Sequence, residues 1–453
     1  MFRVYNFREP VYQEPRAAGV SYDSCLRFLP EVEDPRKEEP SLLYPFLKEK
    51  NQEHGYPLSR SPIFYLNPPS IESQSISVRS PTSFSFESRF SHAISCRKMS
   101  CEFETAPPTL RIVTISYSEL QDKDGNLSMK IENGFGPDGL GIISISDVPG
   151  FPLLRQILLH LSPRLASLPE EAKKELEDPD SRYGFGWSHG KQMLEAGKLD
   201  MLKGSFFANP VLDTPTTEDF LIQRYPSSCR PNIWPSNALP KLEEAFKALG
   251  KLMLDVGLML AYHCDRYVTK GDQSCNDESL KQILLRSRCH KARLLYYFPA
   301  PQSDCTQDLG TMSSWCGWHT DFGSLTGLTC GKFTRDGVEI ACPDSAAGLY
   351  IRTRTDQIVK VIFGEDEIAY QIGETTEILS RGRLCATPHC VRAPKGEKAL
   401  GVERSTFALF MQPDWDENLH FPTEVHRHQE LIPPNGTLTF GEYSEILLSK
   451  YYG

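Results

Sequence analysis

The sequence predicts an α+β protein in which a helical N-terminal half packs on a jelly-roll (double-stranded β-helix) core. Three observations lead there. Apolar residues recur at steps of three and four between Phe151 and Cys264, the period changes to two beyond Cys289, and the β-rich runs that follow are separated by Gly, Asp and Pro. Helices first and strands later is the segregation of an α+β chain, and short strands broken by turn residues belong to an antiparallel sandwich or barrel. The 453 residues, 40% hydrophobic and 24% charged, are enough for a large core and exclude a collagen-like or fully disordered chain.

Residues 1–104 are expected to form a disordered extension or a transit-like segment. Charges alternate there without apolar periodicity as far as Gly55, and a Ser-rich run with Arg79, Arg89, Arg97 and Lys98 follows. Acidic residues pervade the first fifty positions, which favours a linker, or an extension upstream of a start at Met99, over a transit peptide. Residues 105–288 read as a mixed α/β region with a long scaffold helix, 289–430 as the jelly roll and 431–453 as a C-terminal segment.

Within the second region, Arg111–Leu120 and Gly139–Val148 are strand-like. Phe151–Glu177 is helical, with Leu153, Leu154, Ile157, Leu158 and Leu161 on one face and Pro163 and Pro169 expected to break it into pieces. A long helix begins after Pro235, with Ser236 as its cap and Pro240 in its first turn; Leu242, Phe246, Leu249, Met253, Val256 and Leu260 make one buried stripe. Six strands follow from the alternation in Ala292–Phe298, Ser324–Cys330, Gly348–Arg354, Gln357–Phe363, Glu367–Gly373 and Ser405–Pro413, and Gly331–Pro343 reads as an inserted hairpin.

The balance of 49 basic against 59 acidic side chains, net −10, repels nucleic acid and anionic membranes, and no basic patch opposes it. The first 98 residues are nearly neutral, so the acidity belongs to the folded part. Thirteen cysteines, odd in number, scattered and never spaced CxxC, point to a reducing compartment and exclude a disulfide framework or zinc ribbon. The N-terminus lacks an apolar run, and the greasiest stretch, Leu249–Cys264, is interrupted by Lys251, Asp255 and His263. We therefore expect a soluble, cytoplasmic monomer without nucleic-acid or membrane partners, or a chloroplast protein if the Ser-rich segment is a transit peptide.

One segment of the strand-rich half reads WHTDFGSLTGL. On a strand, His319 and Asp321 would project from one face and bring an imidazole and a carboxylate to one point. His389 in LCATPHCVRAP, on a later strand, is the best third ligand. Two His and one carboxylate leave half of an octahedron open, which suits non-haem Fe(II) that must bind O2 and a second reactant. Taken singly, His319 is better read as a surface or hydrogen-bonded core histidine than as a ligand. Other histidines compete: His426 and His428 read as solvated, His160 and His263 as buried or half-buried packing residues on helices, and Cys316, Cys385 and Cys390 as small apolar filling beside the ligands. In ERSTFALFMQP, Arg404 and Thr406 again alternate to one face, a guanidinium fork and a hydroxyl shaped to clamp a carboxylate. The plainer alternative is an Arg paired with Glu403 or another structural acid.

The order HTD, His389, RST resembles the HxD…H…RxS pattern of the 2-oxoglutarate- and Fe(II)-dependent dioxygenases of the isopenicillin-N-synthase-like type, abundant in plants. ARLLYYFPAPQ is similar to that family's strand before the metal motif, with Tyr297 at the place of a tyrosine that contacts 2-oxoglutarate, and the resemblance extends from Leu110 to Pro422. It implies Fe(II) on His319, Asp321 and His389, 2-oxoglutarate held by Arg404, Thr406 and Tyr297, O2 as oxidant, and a small organic substrate that is hydroxylated with release of succinate and CO2. Thr406 stands for the family's Ser, Leu295 for a frequent Asn, and Glu374 for a usual Asp, and the interval from Asp321 to His389 is long. An oxidase of this fold that dispenses with 2-oxoglutarate, or an inactive binding module, are the alternatives; a zinc hydrolase lacks a placed general base.

Overall fold

The computed structural model describes residues 107–192, 199–270, 279–299, 314–422 and 437–452. The expectations for residues 1–104 and for His426 and His428 lie outside the described residues. The chain opens with β1 (Thr109–Arg111), β2 (Val113–Ser116), α1 (Tyr117–Gln121), α2 (Ser128–Phe135), β3 (Ile142–Ser146), α3 (Phe151–Ala166), α4 (Glu170–Glu175), β4 (Gly186–His189) and β5 (Lys203–Ala208). Four helices follow: α5 (Asp219–Arg224), α6 (Pro226–Cys229), α7 (Lys241–Val268) and α8 (Leu280–Arg286). Next come β6 (Lys291–Tyr297), β7 (Ser314–His319), β8 (Leu325–Thr329), β9 (Lys332–Arg335), β10 (Val338–Ile340), β11 (Gly348–Arg352), β12 (Ile358–Ile362) and β13 (Ile368–Ile372). The chain closes with α9 (Glu374–Leu379), β14 (His389–Arg392), β15 (Val402–Met411), β16 (Asn418–His420), β17 (Thr437–Thr439) and α10 (Phe440–Tyr452).

Four local expectations are corrected. The run from Arg111 to Leu120 is two strands and a helix, because Ser116 caps α1 in a capping box with Glu119, a signal present in the SYSE of the sequence. Pro163 does not break α3; it sits in the last turn, where the helix ends anyway with the Ser167 amide donating to the Pro163 carbonyl. The long helix starts at Lys241 with Pro240, not Ser236, at its N-cap position. His160 is exposed rather than packed, whereas His263 is buried against the Leu120 carbonyl at 3.0 Å.

Two sheets form the core. The smaller runs β1-β12-β11-β14-β7 and the larger β2-β3-β13-β8-β15-β6-β5-β4. Their inner faces meet through Leu295, Tyr297 and Ala408 of the larger sheet against Trp315 and Ala393 of the smaller side, and through Ile142 and Ala369 against Ile351, Val359 and Val361. The expected hairpin is present: β9 and β10 pair across a turn at Asp336 and Gly337, and β9 continues onto the first half of β15. Strands from before residue 209 extend the larger sheet at both ends, β3 on β13 and β5 on β6.

The outer face of the larger sheet is covered by α7, whose expected stripe is buried throughout. Phe246 meets Phe407 edge to face at 5.1 Å, and the Tyr370 hydroxyl donates to the Met253 carbonyl at 2.5 Å. This helix is a scaffold: it fixes β15 and β13, which carry site residues on their other face. Phe246→Ala should lower the unfolding free energy by about 3–5 kcal/mol, read from urea denaturation, while His160→Ala stays within about 0.5 kcal/mol.

Candidate metal centre and carboxylate clamp

β7 and β14 pair antiparallel with His319 directly opposite His389. The register slips after that pair, since Val391 faces Cys316, so β7 carries an extra residue at a bulge around Gly317 and Trp318. Asp321 is not on a strand, as the sequence suggested; β7 ends at His319, and Asp321 lies in the connection to β8. The three side chains nevertheless converge, with ligand atoms all within 4.8 Å of one another. Nε2 of His319 lies 3.6 Å and Nε2 of His389 3.9 Å from the same Asp321 oxygen, and the two rings are 4.3 Å apart.

Each imidazole turns its other nitrogen to a backbone carbonyl two residues earlier: Nδ1 of His319 to Gly317 at 2.9 Å, Nδ1 of His389 to Thr387 at 3.3 Å. A carbonyl only accepts, so Nδ1 of each ring carries a proton and Nε2 is the nitrogen turned toward the carboxylate. The Gln371 amide lies 2.9 Å from Nδ1 of His389, and its Oε1 has no partner among the described residues; in the opposite amide orientation that oxygen accepts from Nδ1–H. Burial would lower the His319 imidazole, but the Cys316 sulfur 3.7 Å away, as a thiolate, and the Asp321 carboxylate outweigh it and hold it up at about 9. His389 is pushed down to about 4 by burial and by the charge on His319. Burial would raise Cys316, yet His319 and then Lys203 pull it down to about 6. The corner thus holds a positive charge on His319, and a divalent cation that displaced that proton would meet two imidazole nitrogens and one carboxylate, a donor set that fits a borderline divalent transition metal.

Asp321 is held by a lock between two loops. The backbone amides of Gly373, Glu374 and Thr375 donate to the carbonyls of Ser324, Asp321 and Gly323, and the hydroxyls of Thr375 and Thr376 donate to those of Phe322 and Ser324. Close approach requires glycine at 373, where a Cβ would stand 2.1 Å from the Gly323 oxygen. Glu374 itself points away and accepts from the Tyr443 hydroxyl at 2.8 Å.

The second constellation lies on the larger sheet. Tyr297 is the register partner of Arg404, and Leu295 that of Thr406. The Arg404 guanidinium lies over the Tyr297 and Trp315 rings at 5.1 and 5.7 Å, and no acid pairs with it among the described residues. Glu403, the structural partner weighed above, instead accepts from Thr334 at 2.9 Å. Nη1 of Arg404 is buried with no hydrogen-bond partner among the described residues. An orphaned guanidinium nitrogen in an aromatic cradle is the complement of a carboxylate. Gly331 makes the room, since a Cβ there would lie 2.3 Å from Nε of Arg404. The Thr406 hydroxyl donates to the Thr329 carbonyl at 3.1 Å, and Leu295 adds an apolar wall. Burial pushes the Tyr297 phenol up to about 12, so it is a donor and not an anion.

The structure brings His319, Asp321 and His389 together and sets Tyr297 beside Arg404 and Leu295 beside Thr406, and the residues around them that the sequence reading missed are Gln371, Gly331 and the Gly373–Thr376 lock. Glycines abutting predicted strands were the only available signal. Cys385 and Cys390 are buried as expected, while Cys316 is more than filling because it touches the His319 ring.

This architecture, a two-sheet core with an His-Asp-His corner facing an inward Arg, is the fold of the 2-oxoglutarate- and Fe(II)-dependent oxygenases. A full-length Neurospora crassa protein solved in complex with α-KG is similar with a TM-score of 0.54 and 19% identity over 74% of this chain and 95% of that one. A Caulobacter crescentus protein assigned to the 2OG-Fe(II) oxygenase family gives 0.56 and 18% over 75% and 98%, and JOX2, solved with 2OG, Fe and JA, 0.51 and 18% over 75% and 86%. In sequence, the chain is 27% identical over 175 residues to the 2-oxoglutarate-dependent dioxygenase htyE of Aspergillus rugulosus, which covers 37% of this chain and 48% of that protein. The chain spans about half the length of the curated relative it matches. No family model matches it. In fold the chain is similar to the 2-oxoglutarate- and Fe(II)-dependent oxygenases, and a 175-residue stretch of its sequence is similar to a 2-oxoglutarate-dependent dioxygenase.

Gly373→Ala should push the Asp321 loop away and weaken Co(II) binding by about 10- to 100-fold with the circular-dichroism spectrum retained. Unchanged Co(II) affinity in a visible-absorption titration would show that the lock does not position Asp321.

Proposed function

We propose that this chain is a dioxygenase that couples oxidation of a small organic molecule, hydroxylation by default, to conversion of 2-oxoglutarate and O2 into succinate and CO2. What carries the reading is the pairing of two features on facing sheets: three ligand atoms within 4.8 Å of one another and a buried guanidinium nitrogen without a partner among the described residues. His319, Asp321 and His389 would hold Fe(II), and Arg404, Tyr297 and Thr406 the far carboxylate of 2-oxoglutarate. Bound there, metal and cosubstrate supply the oxidising power for C–H cleavage, and the protein supplies geometry and charge.

Each residue has a task that follows from its surroundings. The carbonyls of Gly317 and Thr387 keep a proton on Nδ1 and so make Nε2 of each histidine the nitrogen that would bind metal, on His319 once its second proton is displaced. Arg404 provides a permanent charge, and the rings of Tyr297 and Trp315 exclude water from it, which strengthens its hold on an anion. Thr406 can exchange the Thr329 carbonyl for a carboxylate as acceptor with a rotation of its hydroxyl. Among the described residues no helix is long and apolar enough to cross a membrane, and the eight cysteines there are free thiols. We place the enzyme in the cytoplasm, in accord with thiols kept reduced.

Asp321→Ala should abolish succinate formation and weaken metal binding. Arg404→Gln should raise the KM for 2-oxoglutarate roughly 30- to 100-fold, the effect of losing about 2–3 kcal/mol of charge-assisted hydrogen bonds, with metal affinity unchanged. Gly331→Ala should act in the same direction by displacing the guanidinium. Wild-type KM in the Arg404 variant, measured by succinate release, would remove Arg404 from the cosubstrate site.

A further inference from the structure

A second set of charged side chains shares the inner face with the clamp. Tyr297 has Arg404 as register partner on one side and Lys203 on the other, and Leu295 likewise lies between Thr406 and Ser205. Arg293 alternates with Leu295 and Tyr297 along β6 and so projects from the same face. Together Ser188, Lys191, Asp200, Lys203, Ser205 and Arg293 line a polar hollow. The same face leads toward the triad: the Tyr297 ring lies 5.0 Å from that of Trp315 on β7, the strand that ends at His319.

The charges in this hollow do not cancel. Lys203 is paired with Asp200 at 2.8 Å, both under a tenth exposed, and Lys191 is paired with Glu177 at 3.0 Å. Arg293 has no acid among the described residues. Its Nε and Nη2 both donate to the Ser205 hydroxyl, at 3.0 and 2.7 Å, and its guanidinium lies over the Phe207 ring at 4.8 Å. Ser205 and Phe207 thus fix the plane of the guanidinium, and Nη1 takes part in no hydrogen bond among the described residues. One fixed, uncompensated cation with a free planar edge suits a monoanion held through two parallel hydrogen bonds. A phosphate dianion would call for a second unpaired cation, and both lysines are already neutralised.

We propose that Arg293, steadied by Ser205, is the anchor for a carboxylate on the substrate, so that this chain oxidises a monocarboxylic acid whose body extends from the hollow toward the triad. The inference rests on the functional reading above and names the substrate class of the same site.

The test is binding rather than turnover. Full-length protein loaded with Co(II), with 2-oxoglutarate present, is titrated calorimetrically with octanoate and phenylacetate and with the corresponding amides. At least one acid should bind about tenfold or more tightly than its amide, as expected for a charge-assisted pair. Arg293→Gln should bring acid and amide level without altering Co(II) affinity, and Arg293→Lys, which keeps the charge but loses the fork, should keep part of the preference. Equal binding of acids and amides, no acid binding in the millimolar range, survival of the preference in Arg293→Gln, or its loss only in Arg404→Gln would each overturn the proposal. Failure of the dioxygenase reading would register separately, as absence of succinate from iron-loaded protein given 2-oxoglutarate in air.

Discussion

Antiparallel pairing of β7 with β14 in a single register is the constraint on which the rest of this site depends, because it alone sets His319 opposite His389. A slip by one residue would turn one imidazole to the outer face of the sheet and leave no pair of nitrogens to share an ion. Two things hold the register. Ile351, the register partner of His389 on the next strand, is fully buried and packs with Val359, Val361 and Ala369, so β14 cannot slide without exposing that cluster. The bulge after the pair adds curvature where β7 ends, and it leaves the Gly317 carbonyl to accept from Nδ1 of His319. The irregularity that spoils the ladder is thus what fixes the tautomer.

The carboxylate needs a different solution. Asp321 lies beyond the end of β7, where no ladder can hold it, and a loop residue is free to move unless its backbone is satisfied. The backbone at the start of α9 performs that service: its first amides find acceptors in the Asp321–Ser324 carbonyls, and those carbonyls find donors in return. This accounts for the short helix being there at all. With six residues α9 could not persist alone, since nucleating so short a helix is unfavourable, but its free N-terminal amides are already bonded to the loop it immobilises. Glycine at 373 is the steric condition for the contact, and the Tyr443 hydroxyl on Glu374 ties the same turn to α10.

These two solutions explain what could be read from the sequence. Period and residue type pointed to the strands, to the stripe on α7 and to His319, Asp321, His389, Arg404 and Thr406 as candidates, because alternation to one face leaves a local mark, whereas Tyr297 stood out only through the family resemblance. What failed to show was non-local. That Asp321 sits off the strand depends on a partner loop far downstream; that Gln371 meets His389 depends on how β13 of one sheet faces β14 of the other. Pro163 misled because proline is disruptive only where further turns must follow it, and α3 ends at Ala166, within the same turn. Ser116 was legible as a cap and was overlooked because the apolar alternation before it continued plausibly through Tyr117.

The inner face of the larger sheet also shows why two anions can be told apart in one cavity. Arg404 and Arg293 both stand without an acid on adjacent strands, and two bare cations sharing one hollow would accept either anion at either place. They are kept distinct by what surrounds them. Arg404, half-buried as a residue, is flanked by the Tyr297 and Trp315 rings and the bare backbone at Gly331, an aromatic cradle in which its Nη1 is buried. Arg293 is also half-buried, in a small polar hollow lined by serine hydroxyls and neutralised lysines. Tyr297 and Leu295 stand between them as an apolar partition. Discrimination is a difference between two affinities, and here the difference comes from the aromatic and the polar surroundings of equal charges rather than from the charges themselves.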